Sequence, residues 1–303
     1  MTSSEYASTR LHGCITALVT PFRSGRVDVV GLRRNVRFQL KSGVAGLLVA
    51  GSTGEAAALS EAEYEQVVRT VASEARGRVV VMAGVGTSNT AKSVAALRRA
   101  RALDVDLALV VAPYYVRPTQ EGLYRHFRAL AEESDLPILV YNIPGRSAVN
   151  ILPATIERLA RDCPGIVGVK EASGSVDQVS DTVCRCGGRL VVLSGDDTLT
   201  LPMLAVGARG VISVTGNIVP AEVSRMVELF LAGDPVGAGL LHHRLFPLTK
   251  ALFVEANPIP VKAALEMLGM PAGEPRLPLT PLSAEGRKTV RAALVRHGLA
   301  LRR

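Results

Sequence analysis

Lys170 closes the apolar run Gly165-Ile-Val-Gly-Val-Lys170-Glu171. A run of this kind reads as a buried strand, and an ammonium at its carboxyl end is short of water. Desolvation disfavours the charged form, so the side chain carries a fraction of neutral amine. A neutral lysine amine is a nucleophile for carbonyl compounds. The plain structural alternative is a strand-end lysine with its stem packed and its head in solvent.

Other residues with chemical use stand at similar places. Only 4% of the chain is aromatic, yet tyrosines fall at Pro113-Tyr114-Tyr115 and at Tyr141-Asn142-Ile143-Pro144-Gly145-Arg146-Ser147. A neutral phenol passes a proton in either direction, as formation and dehydration of a carbinolamine require; Tyr rings also pack at a barrel rim. Arg146 offers a planar fork for a carboxylate, or for a neighbouring acid. Gly51-Ser52-Thr53-Gly54-Glu55 combines turn glycines with two hydroxyls. If a helix starts there, its unpaired N–H groups and the Ser52 and Thr53 hydroxyls suit an anion, although small residues are common in such turns for backbone reasons. Gly195, in Leu193-Ser194-Gly195-Asp196-Asp197, would let a substrate approach the backbone.

These residues need elements to position them. Apolar runs at Ile15 to Phe22, Ala45 to Gly51, Arg78 to Gly86, Asp106 to Pro113, Pro137 to Pro144, Gly165 to Ala172, Leu190 to Asp196 and Gly210 to Thr215 alternate with amphipathic stretches. That alternation predicts repeated β-α units with parallel strands. Ser60-Glu61-Ala62-Glu63 is a capping box, and Thr119 to Glu133 and Pro153 to Arg161 read as helices. About eight units without a linker predict a (β/α)8 TIM barrel, whose active sites lie at the carboxyl ends of the strands. Every residue named above falls at such an end. Beyond Gly216 the pattern is helix only: Ala221 to Leu231, a stretch around Leu240 to Phe253, Pro260 to Leu268 and Ser283 to His297. The expected organisation is a catalytic barrel over residues 1–232 and a C-terminal helical extension over 233–303.

With 303 residues and 48% hydrophobic content, the chain can bury a large core. The polar opening Met1 to Arg10 resembles no signal peptide and no apolar run is long enough for a bilayer, so a cytoplasmic protein without a membrane partner is expected. Cys14, Cys163, Cys184 and Cys186 are too scattered for a disulfide scaffold, and Cys184-Arg185-Cys186 lacks the further ligands of a zinc site; no metal is expected. The net charge of +8 is spread over single arginines and short pairs, which reads as a solvated basic surface rather than a nucleic-acid interface, and is compatible with small anionic substrates.

Taken together, the strand ends resemble those of the pyruvate-dependent, Schiff-base-forming barrels of the dihydrodipicolinate synthase and N-acetylneuraminate lyase group. The resemblance runs from Thr16-Ala17-Leu18-Val19-Thr20-Pro21-Phe22 through Val254-Glu255-Ala256-Asn257-Pro258-Ile259-Pro260-Val261-Lys262 to Thr289-Val290-Arg291-Ala292-Ala293-Leu294. Arg146, together with Pro113-Tyr114-Tyr115 and Arg117-Pro118, points to the synthase branch, in which an arginine at the matching place holds the carboxylate of aspartate semialdehyde. The resemblance implies that Lys170 forms an imine with pyruvate and that Tyr141 shuttles protons. Ser52 and Tyr115 complete a proton relay, with Tyr115 reaching the site of a neighbouring subunit. Ser52 and Thr53 bind the pyruvate carboxylate, and Gly195 and Ile212 line the pocket. No cofactor is implied, because the protonated imine is itself the electron sink. A homotetramer built as a dimer of dimers is implied as well. Ser52 and Ser147 stand where the synthases more usually carry Thr. The alternatives are another pyruvate-dependent aldolase, such as a sugar-acid lyase, and more remotely a non-catalytic binding barrel. In lysine-inhibited members of the group the effector lies at a dimer interface. By position along the motifs, the places that hold it carry Ser88, Lys92, Glu61, Tyr64 and Ala56 here, beside Tyr114.

Overall fold

The computed structural model describes residues 9–302. Its strands are β1 (Gly13–Ala17), β2 (Phe22–Arg23), β3 (Arg26–Val27), β4 (Gly46–Val49), β5 (Val80–Val85), β6 (Leu107–Val111), β7 (Ile138–Asn142), β8 (Ile166–Glu171), β9 (Val191–Ser194) and β10 (Gly210–Ser213). β2 and β3 form a small antiparallel hairpin, and the other strands close a barrel in the order β1-β10-β9-β8-β7-β6-β5-β4. The fold is thus a (β/α)8 barrel with C-terminal helices. All eight expected strands form, each shorter than its apolar run, because loop residues beside a buried strand are themselves apolar and extend the pattern. The hairpin was not expected. The described residues fall into two compact units, one comprising 9–13 with Met82–Ile212, the other Cys14–Val81 with 213–302.

In the first unit the strands from β6 to β9 lie parallel in sequence order. Most of their apolar side chains, among them Leu107, Val110, Ile138, Val140, Val169 and Leu193, are fully buried, as expected for parallel strands covered on both faces. The register sets Tyr141 beside Lys170 and Asn142 beside Glu171. Gly168 is required by packing: a Cβ there would lie 2.5 Å from the Val191 carbonyl oxygen and 2.6 Å from the Leu139 side chain. The helices Gln120–Glu132 and Pro153–Asp162 match their expected spans, and Thr119 caps the first through the Gly122 N–H.

In the second unit the capping box forms as read: Ser60 Oγ accepts from Glu63 N, and the Glu63 carboxylate accepts from Ser60 N. Of the four C-terminal helices, Pro220–Leu231, Ile259–Met267 and Ala284–His297 fall where expected. Pro235–Ala251 starts five residues before Leu240. Asp234 caps it, its carboxylate accepting from Gly237 N at 2.8 Å, and Pro235 takes the first helical position, so a Gly-rich stretch that looks like loop is helical.

A polar cluster absent from the sequence reading ties this unit together. Glu55 and Lys262, both 1% exposed, pair at 2.5 Å. Glu55 also accepts from Arg276 N at 2.8 Å, and Lys262 donates to the Thr20 and Glu274 carbonyls. Arg276 grips Glu63 through both terminal nitrogens, and Phe22 stacks beneath both cations. Burial lowers the Lys262 pKa while Glu55 opposes the shift. Removing one partner strands a buried charge. Lys262→Met is therefore expected to destabilise the protein by roughly 3 to 5 kcal/mol, and the double variant Glu55→Leu/Lys262→Met by clearly less. Chemical denaturation of the three proteins checks this; equal losses in single and double variants would contradict it.

Candidate active site

Lys170 sits on β8 with 6% of its surface exposed, and its Nζ lies 4.1 Å from the centre of the Tyr141 ring on β7. Burial lowers its pKa to about 7; Asp197 pulls in the opposite direction, and the Arg146 guanidinium pushes it further down. A substantial neutral fraction therefore exists near neutral pH, where an ordinary lysine is almost wholly protonated. Tyr141 is 7% exposed, and burial pushes its phenol up to about 12, with Arg146 opposing. The pair thus consists of a nucleophilic amine and a phenol that stays protonated to donate.

Arg146 lies on the exposed side of the four-residue helix Pro144–Ser147 just past β7. Its charge acts on both Lys170 and Tyr141. Ser147 is buried and its hydroxyl donates to the Ile143 and Val149 carbonyls, so its role here is to hold the turn. Gly195 follows β9, its N–H donating to the Glu171 carbonyl at 2.7 Å. A Cβ on it would come within 3.0 Å of Lys170 Cε and 2.8 Å of Ala172 Cβ, so the glycine clears the path of the lysine stem. Ile212, on β10, is buried at 1% exposure. Tyr115 has its backbone in the left-handed region at φ 74° and is 88% exposed. Its N–H donates to the Ser147 carbonyl at 3.3 Å.

Ser52 and Thr53 belong to the second unit, in the turn after β4. Ser52 is exposed; Thr53 is buried and its hydroxyl oxygen accepts from Asn257 Nδ2 at 2.9 Å. That bond leaves the Thr53 proton available for donation elsewhere. The expected helix start at this turn is corrected. Only a three-residue 3-10 turn, Ala56–Ala58, follows, preceded by Glu55 at φ 54°, and the long helix begins at Glu61. Glu55 turns its side chain to Lys262, and the Ser60 capping box starts the helix later.

Sequence reasoning missed Asp197, whose charge acts on Lys170, and the polar shell of Asn142 and Glu171 behind the strand ends. The Asp196-Asp197 pair after the strand-end Gly195 was a signal for the first; the second depends on contacts remote in sequence. Among the described residues no group of three His, Cys, Asp or Glu side chains is arranged to hold a metal, and no helix is long and apolar enough to cross a membrane. All four cysteines are free, with Cys184 exposed and the rest buried.

A barrel carrying a desolvated lysine against a phenol at adjacent strand ends is the arrangement of a Schiff-base-forming aldolase. The sequence model of the dihydrodipicolinate synthetase family matches residues 10–297. The 4-hydroxy-tetrahydrodipicolinate synthase of Nitratidesulfovibrio vulgaris (strain DP4) is 47% identical over 95% of this chain and 98% of its own. That of Pelobacter propionicus is also 47% identical, over 95% and 99%. The crystal structure of dihydrodipicolinate synthase from Aquifex aeolicus superimposes with a TM-score of 0.94 at 45% identity, covering 96% of this chain and 100% of that one. The chain belongs to the dihydrodipicolinate synthetase family.

Proposed function

We propose that this chain is a lyase that condenses pyruvate with L-aspartate 4-semialdehyde, the 4-hydroxy-tetrahydrodipicolinate synthase reaction of the diaminopimelate route to lysine. The observation that carries the reading is the buried Lys170 amine, its pKa lowered to about 7, stacked on Tyr141 within reach of the Arg146 charge. Neutral Lys170 attacks the pyruvate ketone, and the carbinolamine loses water to give a protonated imine. Tyr141 supplies and recovers the protons of these steps. Loss of a methyl proton gives an enamine, whose carbon attacks the aldehyde of the second substrate. The amine of that substrate then adds to the imine carbon and expels Lys170, closing a six-membered ring. Ser52 and Tyr115 relay protons to solvent; Thr53, with Gly195 and Ile212, seats pyruvate. Arg146 holds the carboxylate of the semialdehyde. The catalytic barrel is assigned to residues 1–232 and the helical extension to 233–303, of which 1–8 and 303 lie outside the described residues. The exposed Tyr115 supports assembly into a homo-oligomer; by the family resemblance this is a dimer of dimers, in the cytoplasm. Steady-state turnover of pyruvate and aspartate semialdehyde, compared with cleavage of N-acetylneuraminate, tests the reading; faster cleavage of the sugar acid would reverse it.

One relative, the synthase from Cyanidioschyzon merolae, has been solved with lysine bound. By the resemblance, the places that hold the effector carry Ser88, Lys92, Glu61, Tyr64 and Ala56 in this chain; Lys92, exposed on the helix Thr90–Arg101, would set its ammonium against that of lysine, with Glu61 as the opposing charge. Like charges in a partly desolvated cleft cost several kcal/mol. Feedback inhibition is expected to be weak or absent, with half-inhibition by lysine above roughly 1 mM at saturating pyruvate. Inhibition in the sub-millimolar range would contradict the charge argument.

A further inference from the structure

Behind Lys170 and Tyr141 lies a polar network that the reaction described above does not use. Successive residues of a strand point to opposite faces. With Tyr141 beside Lys170 on one face, Asn142 and Glu171 are paired on the other. Glu171 is 2% exposed, and its known partners are all neutral N–H groups. Asn142 Nδ2 bridges its two oxygens at 3.1 and 3.0 Å, Ser173 N donates to Oε1 at 2.7 Å, and Gln178 Nε2 donates to Oε2 at 3.0 Å. The amides are locked in turn. Asn142 Nδ2 also reaches Asn150 Oδ1 at 2.8 Å, Asn142 Oδ1 accepts from Ile151 N at 2.9 Å, and Asn150 Nδ2 donates to Gln178 Oε1 at 2.8 Å.

A buried carboxylate facing only donors is a choice of acceptor count: its lone pairs take every N–H, whereas an amide would turn its own NH2 against them. The network spans the ends of β7 and β8, the strands that carry the phenol and the amine, and anchors both one residue beyond the reacting side chains. Small misplacements of reacting groups cost large factors in rate. We propose that Glu171 is a positioning residue, the hub that holds the Lys170 amine in line with Tyr141 for imine formation. The proposal rests on Lys170 being the imine-forming lysine.

The test is single-turnover imine formation with pyruvate alone, followed by borohydride trapping and mass spectrometry. In Glu171→Gln the introduced amide faces N–H donors, and the rate of trapping at Lys170 is expected to fall roughly 10- to 100-fold, with the circular dichroism spectrum unchanged. The double variant Glu171→Gln/Gln178→Glu exchanges carboxylate and amide and restores the donor–acceptor match between positions 171 and 178, while losing the bonds that Gln178 Nε2 makes to Asn150 Oδ1 at 3.1 Å and to the Ile151 carbonyl at 3.4 Å, so it is expected to recover part of the rate. Wild-type speed in the single variant, or a double variant as slow as the single, would overturn the proposal. If Glu171→Gln does not fold, Gln178→Met removes one donor and is expected to slow trapping roughly threefold to tenfold; a folded Gln178→Met protein with wild-type speed would equally overturn it. Failure of the wild-type protein to trap pyruvate on Lys170 would instead remove the functional reading itself.

Discussion

Lys170→Ala is expected to lower turnover roughly ten-thousand-fold or more and to abolish the pyruvate adduct, while the barrel stays folded. The magnitude follows from removing the nucleophile of a covalent mechanism, since oriented neighbours provide no alternative attack on the ketone. The fold survives because the residue is more a burden than a support. Its amine is desolvated, and burial has already lowered its pKa to about 7. The truncation removes little apolar surface and no ion pair of the Glu55–Lys262 kind. Kinetics, trapping and a thermal melt on one preparation check the statement. Retention of more than about a hundredth of the wild-type turnover would indicate another nucleophile.

Arg146→Ala separates the two substrates. Its assigned partner is the carboxylate of the semialdehyde, so kcat/KM for that substrate is expected to drop while pyruvate still forms its imine. Arg146 is exposed in the free chain, so the loss belongs at the low end for a charge-assisted pair, about 2 kcal/mol or roughly 30-fold. A second effect has a definite sign. The Arg146 charge helps hold the Lys170 pKa down, so its removal raises that pKa and moves the pH midpoint of pyruvate trapping upward. Steady-state kinetics with each substrate varied, and trapping across pH, measure the two effects. An unchanged kcat/KM for aspartate semialdehyde would remove Arg146 from substrate binding.

The barrel was legible in the sequence because each strand, covered on both faces, is written as an uninterrupted apolar run, and because a closed repeat leaves few ways to arrange eight of them. The Ser60–Glu63 box was legible because it acts over three residues. Lys170 and Tyr141 were legible as candidates too: a lysine and a tyrosine each closing an apolar run are out of place unless chemistry needs them. What remained hidden joins residues far apart. Glu55 finds Lys262 across 207 positions and thereby pulls the Ser52–Thr53 turn away from a helix start. Asn142 and Glu171 look like ordinary polar residues until the strand register sets them side by side. The left-handed backbone of Tyr115 leaves no mark in a residue type that ordinarily avoids it.

The central claim is that Lys170 is a neutral amine near physiological pH that forms an imine with pyruvate. Its most direct test is borohydride trapping of pyruvate on the wild-type protein from pH 5 to 10, with the modified residue located by mass spectrometry. Because burial lowers the Lys170 pKa to about 7, the amine is protonated and unreactive well below that value and neutral above it. The expected result is one adduct, on Lys170, with trapping that rises through a midpoint near pH 7. An adduct on Lys262 or any other lysine, no adduct at all, or a midpoint near the ordinary lysine value of about 10.4 would contradict the account.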